Sequence, residues 1–131
     1  MVIDTSAIVA ILNDEPDAER YRVAIARDRV RLMSAGNVLE AALVMERRHG
    51  EEGVLMFDLL QMRAGIEAVP FLPDQLLAAR DAFRRFGKGV HPAGLNFGDC
   101  FAYALARTSG EPLLFKGNDF AATDIPTVDL A

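Results

Sequence analysis

The chain has 131 residues, of which 51% are hydrophobic, and a formal net charge of −5 at pH 7. A chain of this size makes one domain, read here as residues 1–131, and buries roughly two thirds of the surface its unfolded form exposes. The apolar runs fall far short of the about 20 residues of a membrane span, and Met1 enters structure without a basic-then-apolar leader. A cytoplasmic protein with no membrane partner is therefore expected. The single cysteine, Cys100, excludes an internal disulfide, and no Cys/His cluster has zinc spacing.

The opening run Met1-Val2-Ile3 is continuously apolar, as suits a parallel strand covered on both faces. It delivers Asp4 to the strand tip, and residues 5–12 read as a helix. Ligands of open α/β sheets bind beyond the carboxyl ends of the strands. Asp4 is thus either the helix cap or a functional carboxylate. A loop at 13–17 restarts a helix running to about Asp28, with Pro16 near its first turn. Residues 30–33 form a short strand; the small and capping residues Ser34, Ala35, Gly36 and Asn37 start a helix over 38–48, which His49-Gly50 stops. A further helix over 51–64 closes at Gly65, and 66–71 is the next strand.

Pro73 begins a helix whose Leu76, Leu77, Ala79 and Phe83 share one stripe and which ends at Gly87. Residues 88–94 are an exposed loop. Asn96 starts the last long helix, with Phe97, Cys100, Phe101, Ala104 and Leu105 on a face expected to pack on the sheet, so Cys100 is a core residue. Residues 112–115 are a strand, 117–123 a loop and 127–130 a final short strand. Helices alternating with short apolar strands indicate a three-layer α/β/α sandwich around a short, mainly parallel sheet.

Twelve arginines against two lysines favour planar, bidentate anion recognition. They cluster at Arg20, Arg22, Arg27, Arg29 and Arg31, at Arg47 and Arg48, and at Arg84 and Arg85 with Lys88. Each cluster reads either as a solvated helix face or as a phosphate contact. The acids are more telling. Glu40 lies on a helix that is apolar nearly all round, so its second turn should be substantially buried, and a buried carboxylate needs a partner or a metal; an exposed strip of Asn37 and Glu40 is the alternative. Asp99 three residues after Asn96 resembles a capping box, yet the same geometry aims an ionised carboxylate toward the strand tips. Asp119 and Asp124 flank the loop after the penultimate strand. Together these acids can converge at one rim of the sheet, and oxygen donors without Cys or His suit Mg²⁺ or Mn²⁺.

The Asp4-Thr5-Ser6 opening, Glu40 within Ser34-Ala35-Gly36-Asn37-Val38-Leu39-Glu40, Asp99 within Leu95-Asn96-Phe97-Gly98-Asp99-Cys100, and the closing Leu113-Leu114-Phe115-Lys116-Gly117-Asn118-Asp119-Phe120 with Thr123-Asp124 resemble a PIN domain, and most closely the VapC toxins of bacterial toxin–antitoxin pairs. The resemblance implies a Mg²⁺- or Mn²⁺-dependent endoribonuclease silenced by a VapB-type antitoxin, a homodimer, and toxin–antitoxin hetero-oligomers. It implies catalytic, metal-binding roles for Asp4, Glu40, Asp99 and Asp119, with Asp124 as a supporting ligand and Ser6 orienting Asp4. Metal-activated water would attack an RNA phosphate in line. A haloacid-dehalogenase-like phosphatase needs a second acid where Ser6 stands, and a phosphorylation receiver needs an acceptor Asp after the third strand, where none precedes Asp74. A non-catalytic PIN-like binding module is the remaining alternative.

Overall fold

The computed structural model describes residues 1–130. Strands β1 (Val2–Ile3), β2 (Leu32–Ser34), β3 (Glu67–Val69) and β4 (Leu113–Leu114) alternate with helices α1 (Thr5–Leu12), α2 (Ala18–Arg27), α3 (Ala35–Arg63), α4 (Pro73–Phe86) and α5 (Phe97–Ser109). The sheet has the order β3-β2-β1-β4 and all its pairings are parallel, with Val2 opposite both Leu32 and Leu113. Alternate strand residues point to opposite faces. Val2, Leu32 and Leu113 therefore join one core with Phe86, Leu95, Tyr103 and Phe120, while Ile3, Met33 and Leu114 join another with Ile8, Ile11, Met45 and Phe57. Each face of the sheet carries a helical layer, which is the expected three-layer sandwich.

Several boundaries move for local reasons. Helix α3 begins at Ala35 rather than 38, because Ser34 is itself the cap: its Oγ accepts the Gly36 N–H at 3.3 Å. The expected stop at Gly50 is a sharp break, with φ 62° and ψ −148°, after which the helix resumes. Gly65, at φ 62°, closes α3 in a Schellman arrangement: its N–H reaches the Met62 carbonyl at 3.2 Å and the Ile66 N–H reaches Gln61 at 3.0 Å. The strand expected over 127–130 does not form. Pro126 precedes it, and only a bridge between Leu113 and Thr127 extends β4.

Two apolar stripes are used differently from expectation. On α5, Cys100 and Ala104 pack with Ala79 of α4 rather than on the sheet, which Ala102, Tyr103 and Leu105 face instead, and Phe97 is 80% exposed. Cys100 is still a core residue, its thiol pushed up to about 11 by burial. On α4 the close packing against α5 uses the small Ala79 and Ala82, leaving Leu76, Leu77 and Phe83 exposed. No helix among the described residues is long and apolar enough to cross a membrane.

Candidate active site

Three strand or helix starts meet at the carboxyl edge of the sheet, and each brings an acid. Asp4 follows β1 and is buried at 4% exposure. Its Oδ2 accepts both the Ser6 N–H at 3.0 Å and the Ser6 hydroxyl at 2.6 Å, so it does cap α1. Ser6 Oγ in turn accepts the Lys116 N–H, just past β4, at 2.9 Å. The Lys116 ammonium pairs with Glu15 at 3.0 Å and Asp17 at 2.8 Å, which anchors that turn to the α1–α2 loop.

Asp99 forms a complete capping box. Its Oδ2 accepts the Asn96 N–H at 3.0 Å, and Asn96 Oδ1 accepts the Asp99 N–H at 2.9 Å. The carboxyl is only 8% exposed. Glu40, expected to be substantially buried, is half-buried, because Leu39 and Leu43 beside it face outward at 60% and 54% exposure. Its carboxylate lies against Gly98, where any Cβ would collide with it. Asn37, wholly buried, donates through Nδ2 to Glu40 Oε1 at 3.3 Å and to the Gly98 carbonyl at 2.9 Å.

The electrostatics record the convergence. Burial pushes Asp4 up to about 6 against the pull of the Ser6 bonds, and Glu40 repels it further. Burial likewise raises Asp99 to about 7; the Asn96 N–H opposes this, and the negative charges of Asp4, Asp119 and Glu40 add to it. Asp119 is exposed at the start of a 3₁₀ turn, Phe120–Ala122, yet near enough to act on Asp99.

Asp124 is not brought into this group. Tyr103 donates to its Oδ1 at 2.5 Å, and Arg85 and Arg107 pair with its Oδ2 at 2.9 and 2.7 Å. Although partial burial alone would raise it, these three donors hold the carboxyl at about 2. Asp124, expected as a supporting ligand, is bonded here to these three side chains, and so ties the loop carrying Asp119 to α4 and α5.

Sequence reading took Asn37 as a helix-start residue, or as part of an exposed strip with Glu40, and gave Gly98 no role of its own. The signals were present: Asn37 precedes Glu40 by three positions, on the same helix face, and a glycine adjoins Asp99. The arginine clusters also divide. Arg31 is spent on the carbonyls of Ala26, Asp28 and Ala64, Arg22 on Ile11, Asp14 and Glu19, and Arg84 and Arg85 on Asp81. Arg47 and Arg48 instead line a groove of about 430 Å³ with Glu40, Leu39, Leu43 and Phe97.

The donors around the rim are all oxygens, and two of the acids are raised by burial and further by the charge of neighbouring acids, so the residue set fits a hard divalent cation. Among the described residues no group of three or more acidic, His or Cys side chains is already arranged to hold an ion.

A parallel sheet with helices on both faces and acids gathered at its carboxyl edge defines the class, and the PIN domain family model matches residues 1–126; the chain belongs to that family. Within it the similarity is to VapC ribonucleases. Ribonuclease VapC30 of Mycobacterium tuberculosis is 58% identical over 130 residues, covering 99% of both chains, and Ribonuclease VapC of Mycolicibacterium smegmatis is 58% identical over 128 residues, covering 98% of this chain and 99% of that one. Two solved structures share the fold. VapC20 of M. tuberculosis, described as a sarcin–ricin loop cleaving toxin, has a TM-score of 0.78 at 18% identity over 97% of both chains. VapBC2 of Rickettsia felis, bound to a DNA fragment from its promoter, has a TM-score of 0.75 at 15% identity, covering 98% of this chain and 96% of that one.

Proposed function

We propose that this chain, as a single PIN domain, is the endoribonuclease toxin of a VapBC-type toxin–antitoxin pair, acting in the cytoplasm on RNA phosphodiester bonds. The observation that carries the reading is the convergence of Asp4, Glu40 and Asp99 at the sheet's carboxyl edge in a chain 58% identical, end to end, to VapC ribonucleases. Asp4, Glu40, Asp99 and Asp119 would hold Mg²⁺ or Mn²⁺. Such an ion, when bound, acidifies water and offsets the charge that develops on a phosphate under attack.

The chain's own residues supply the rest. Ser6 fixes one oxygen of Asp4, the capping box fixes one oxygen of Asp99, and Asn37 fixes one oxygen of Glu40. The remaining oxygens are the ones offered to a cation. Arg47 and Arg48, on the groove that reaches Glu40, hold phosphates flanking the scissile bond. Unpaired RNA suits the groove, because A-form duplexes hide their base edges.

Two protein partners belong to the reading: a VapB-type antitoxin that blocks the site, as the VapBC2 complex supports by analogy, and a second copy of the chain. The apolar cleft of about 710 Å³ lined by Phe71, Leu76, Phe83, Phe97 and Phe101 is the surface offered to that second copy. Induced expression alone should arrest bacterial growth, and co-expression of a VapB-type antitoxin that binds the chain, or the single change Glu40→Gln, should abolish the arrest. Continued arrest by Glu40→Gln at equal protein levels would remove Glu40 from the reaction.

A further inference from the structure

Asn37 makes contact with the neighbourhood of every acid at the centre of the site. Its backbone carbonyl accepts the hydroxyl of Thr5, the residue after Asp4, at 3.3 Å. Its Nδ2 donates to the carbonyl of Gly98, the residue before Asp99, at 2.9 Å, and to Glu40 itself at 3.3 Å. The side chain thus ties the first turn of α5 to Glu40 on its own helix, while the backbone carbonyl of the same residue holds the first turn of α1. The amide cannot turn over, because a flip would set its oxygen against two acceptors. Its Oδ1 is buried and without a hydrogen-bond partner, a cost to the fold. The orientation is therefore dictated by what Nδ2 holds and not by best satisfaction of the amide.

We propose that Asn37 is a positioning residue whose side chain sets the spacing of Glu40 and Asp99 and thereby the affinity of the site for a divalent cation. This rests on the metal-site reading above. Neither a cap nor a packing role accounts for the placement: Ser34 already caps α3, and a packing role would be served better by an apolar side chain than by a buried amide with an orphaned oxygen.

The test uses the purified full chain freed of any partner, with Mn²⁺ alone as probe. Free Mn²⁺ is counted by electron paramagnetic resonance in titrations of the wild type, Asn37→Ala and Asn37→Asp. Asn37→Ala should weaken Mn²⁺ binding about tenfold, the effect usual for groups that orient metal ligands, while KM for RNA at saturating Mn²⁺ stays unchanged. Wild-type affinity in folded Asn37→Ala would overturn the proposal while leaving the metal reading intact; absence of Mn²⁺ binding by the wild type would overturn both. A second measurement needs no variant. The Asn37 side-chain NH₂ signals of the wild type should exchange slowly with solvent and shift on Mg²⁺ addition, and signals that stay in place while the Asp4 and Asp99 amides move would also overturn it.

Discussion

At the scale of single residues the site is defined by carboxyls that resist ionising. Asp4, at about 6, and Asp99, at about 7, both lie above the 3.8 of an unperturbed Asp. Below about pH 4 both groups are protonated whether the chain is folded or not, and they contribute nothing to the pH dependence. Between about 4 and 7 the unfolded chain releases protons that the folded chain retains, so each step up in pH favours unfolding. The cation-free protein should therefore lose stability from these groups on going from pH 5 to 7.5, by on the order of 4 kcal/mol. Urea denaturation in EDTA reads this directly. Mg²⁺ should restore stability at pH 7.5 far more than at pH 5, and Asp4→Asn should flatten the dependence. A wild type that grows steadily more stable over this range would show the acids to be compensated already. Asp124 behaves oppositely, being held ionised by Arg85, Arg107 and Tyr103, which explains how an acid next to the site in sequence stands apart from it in space.

At the scale of elements, the placement of the acids follows from how helices start. Each of α1, α3 and α5 begins with a side-chain cap, and the parallel sheet aims all three starts at one edge. Gly98, in the first turn of α5, is the closest tolerance in this arrangement. Gly98→Ala should displace the Glu40 carboxylate and lower kcat by about 10²-fold, the scale of a misplacement near 1 Å. Its melting temperature should fall by only a few degrees, since the change keeps the helix and favours it intrinsically; unchanged kcat would mean that Glu40 has another productive position. Most of this level was legible in the sequence. Caps, glycine stops and apolar strands are local signals, and they yielded α1, the break at Gly50, the α5 capping box and the α/β class. Which side of an apolar helix is buried was not legible. Leu39, Leu43, Leu76 and Phe97 look like core in a hydrophobicity pattern yet face outward in the fold, Leu76 because α4 approaches α5 closely through alanines. The spacing of Asn37 from Glu40 was legible, but its bond to Gly98, 61 positions away, was not.

At the scale of the molecule, those outward apolar residues and the groove arginines give a surface with two uses. Leu76 and Phe83 are 47% and 44% exposed, too open to contribute much to the fold of one chain. Leu76→Glu with Phe83→Glu should convert the expected dimer to a species near 14.3 kDa in sedimentation with little loss of stability; a dimer that persists would assign self-association to another face. The net charge of −5 is compatible with an RNA substrate because four of the acids are assigned to the proposed cation site and Arg47 and Arg48 stand beside Glu40. The most direct measurement of the central claim is incubation of a mixed cellular RNA pool with the purified chain, with and without Mg²⁺ or Mn²⁺, beside the Asp4→Asn, Asp99→Asn double variant. Cuts that require the cation and vanish in the variant are expected, their ends reporting the target sequence. Cutting by the variant at the wild-type rate, or no cutting by folded, antitoxin-free wild type, would contradict the account and favour a PIN domain that binds RNA without cleaving it.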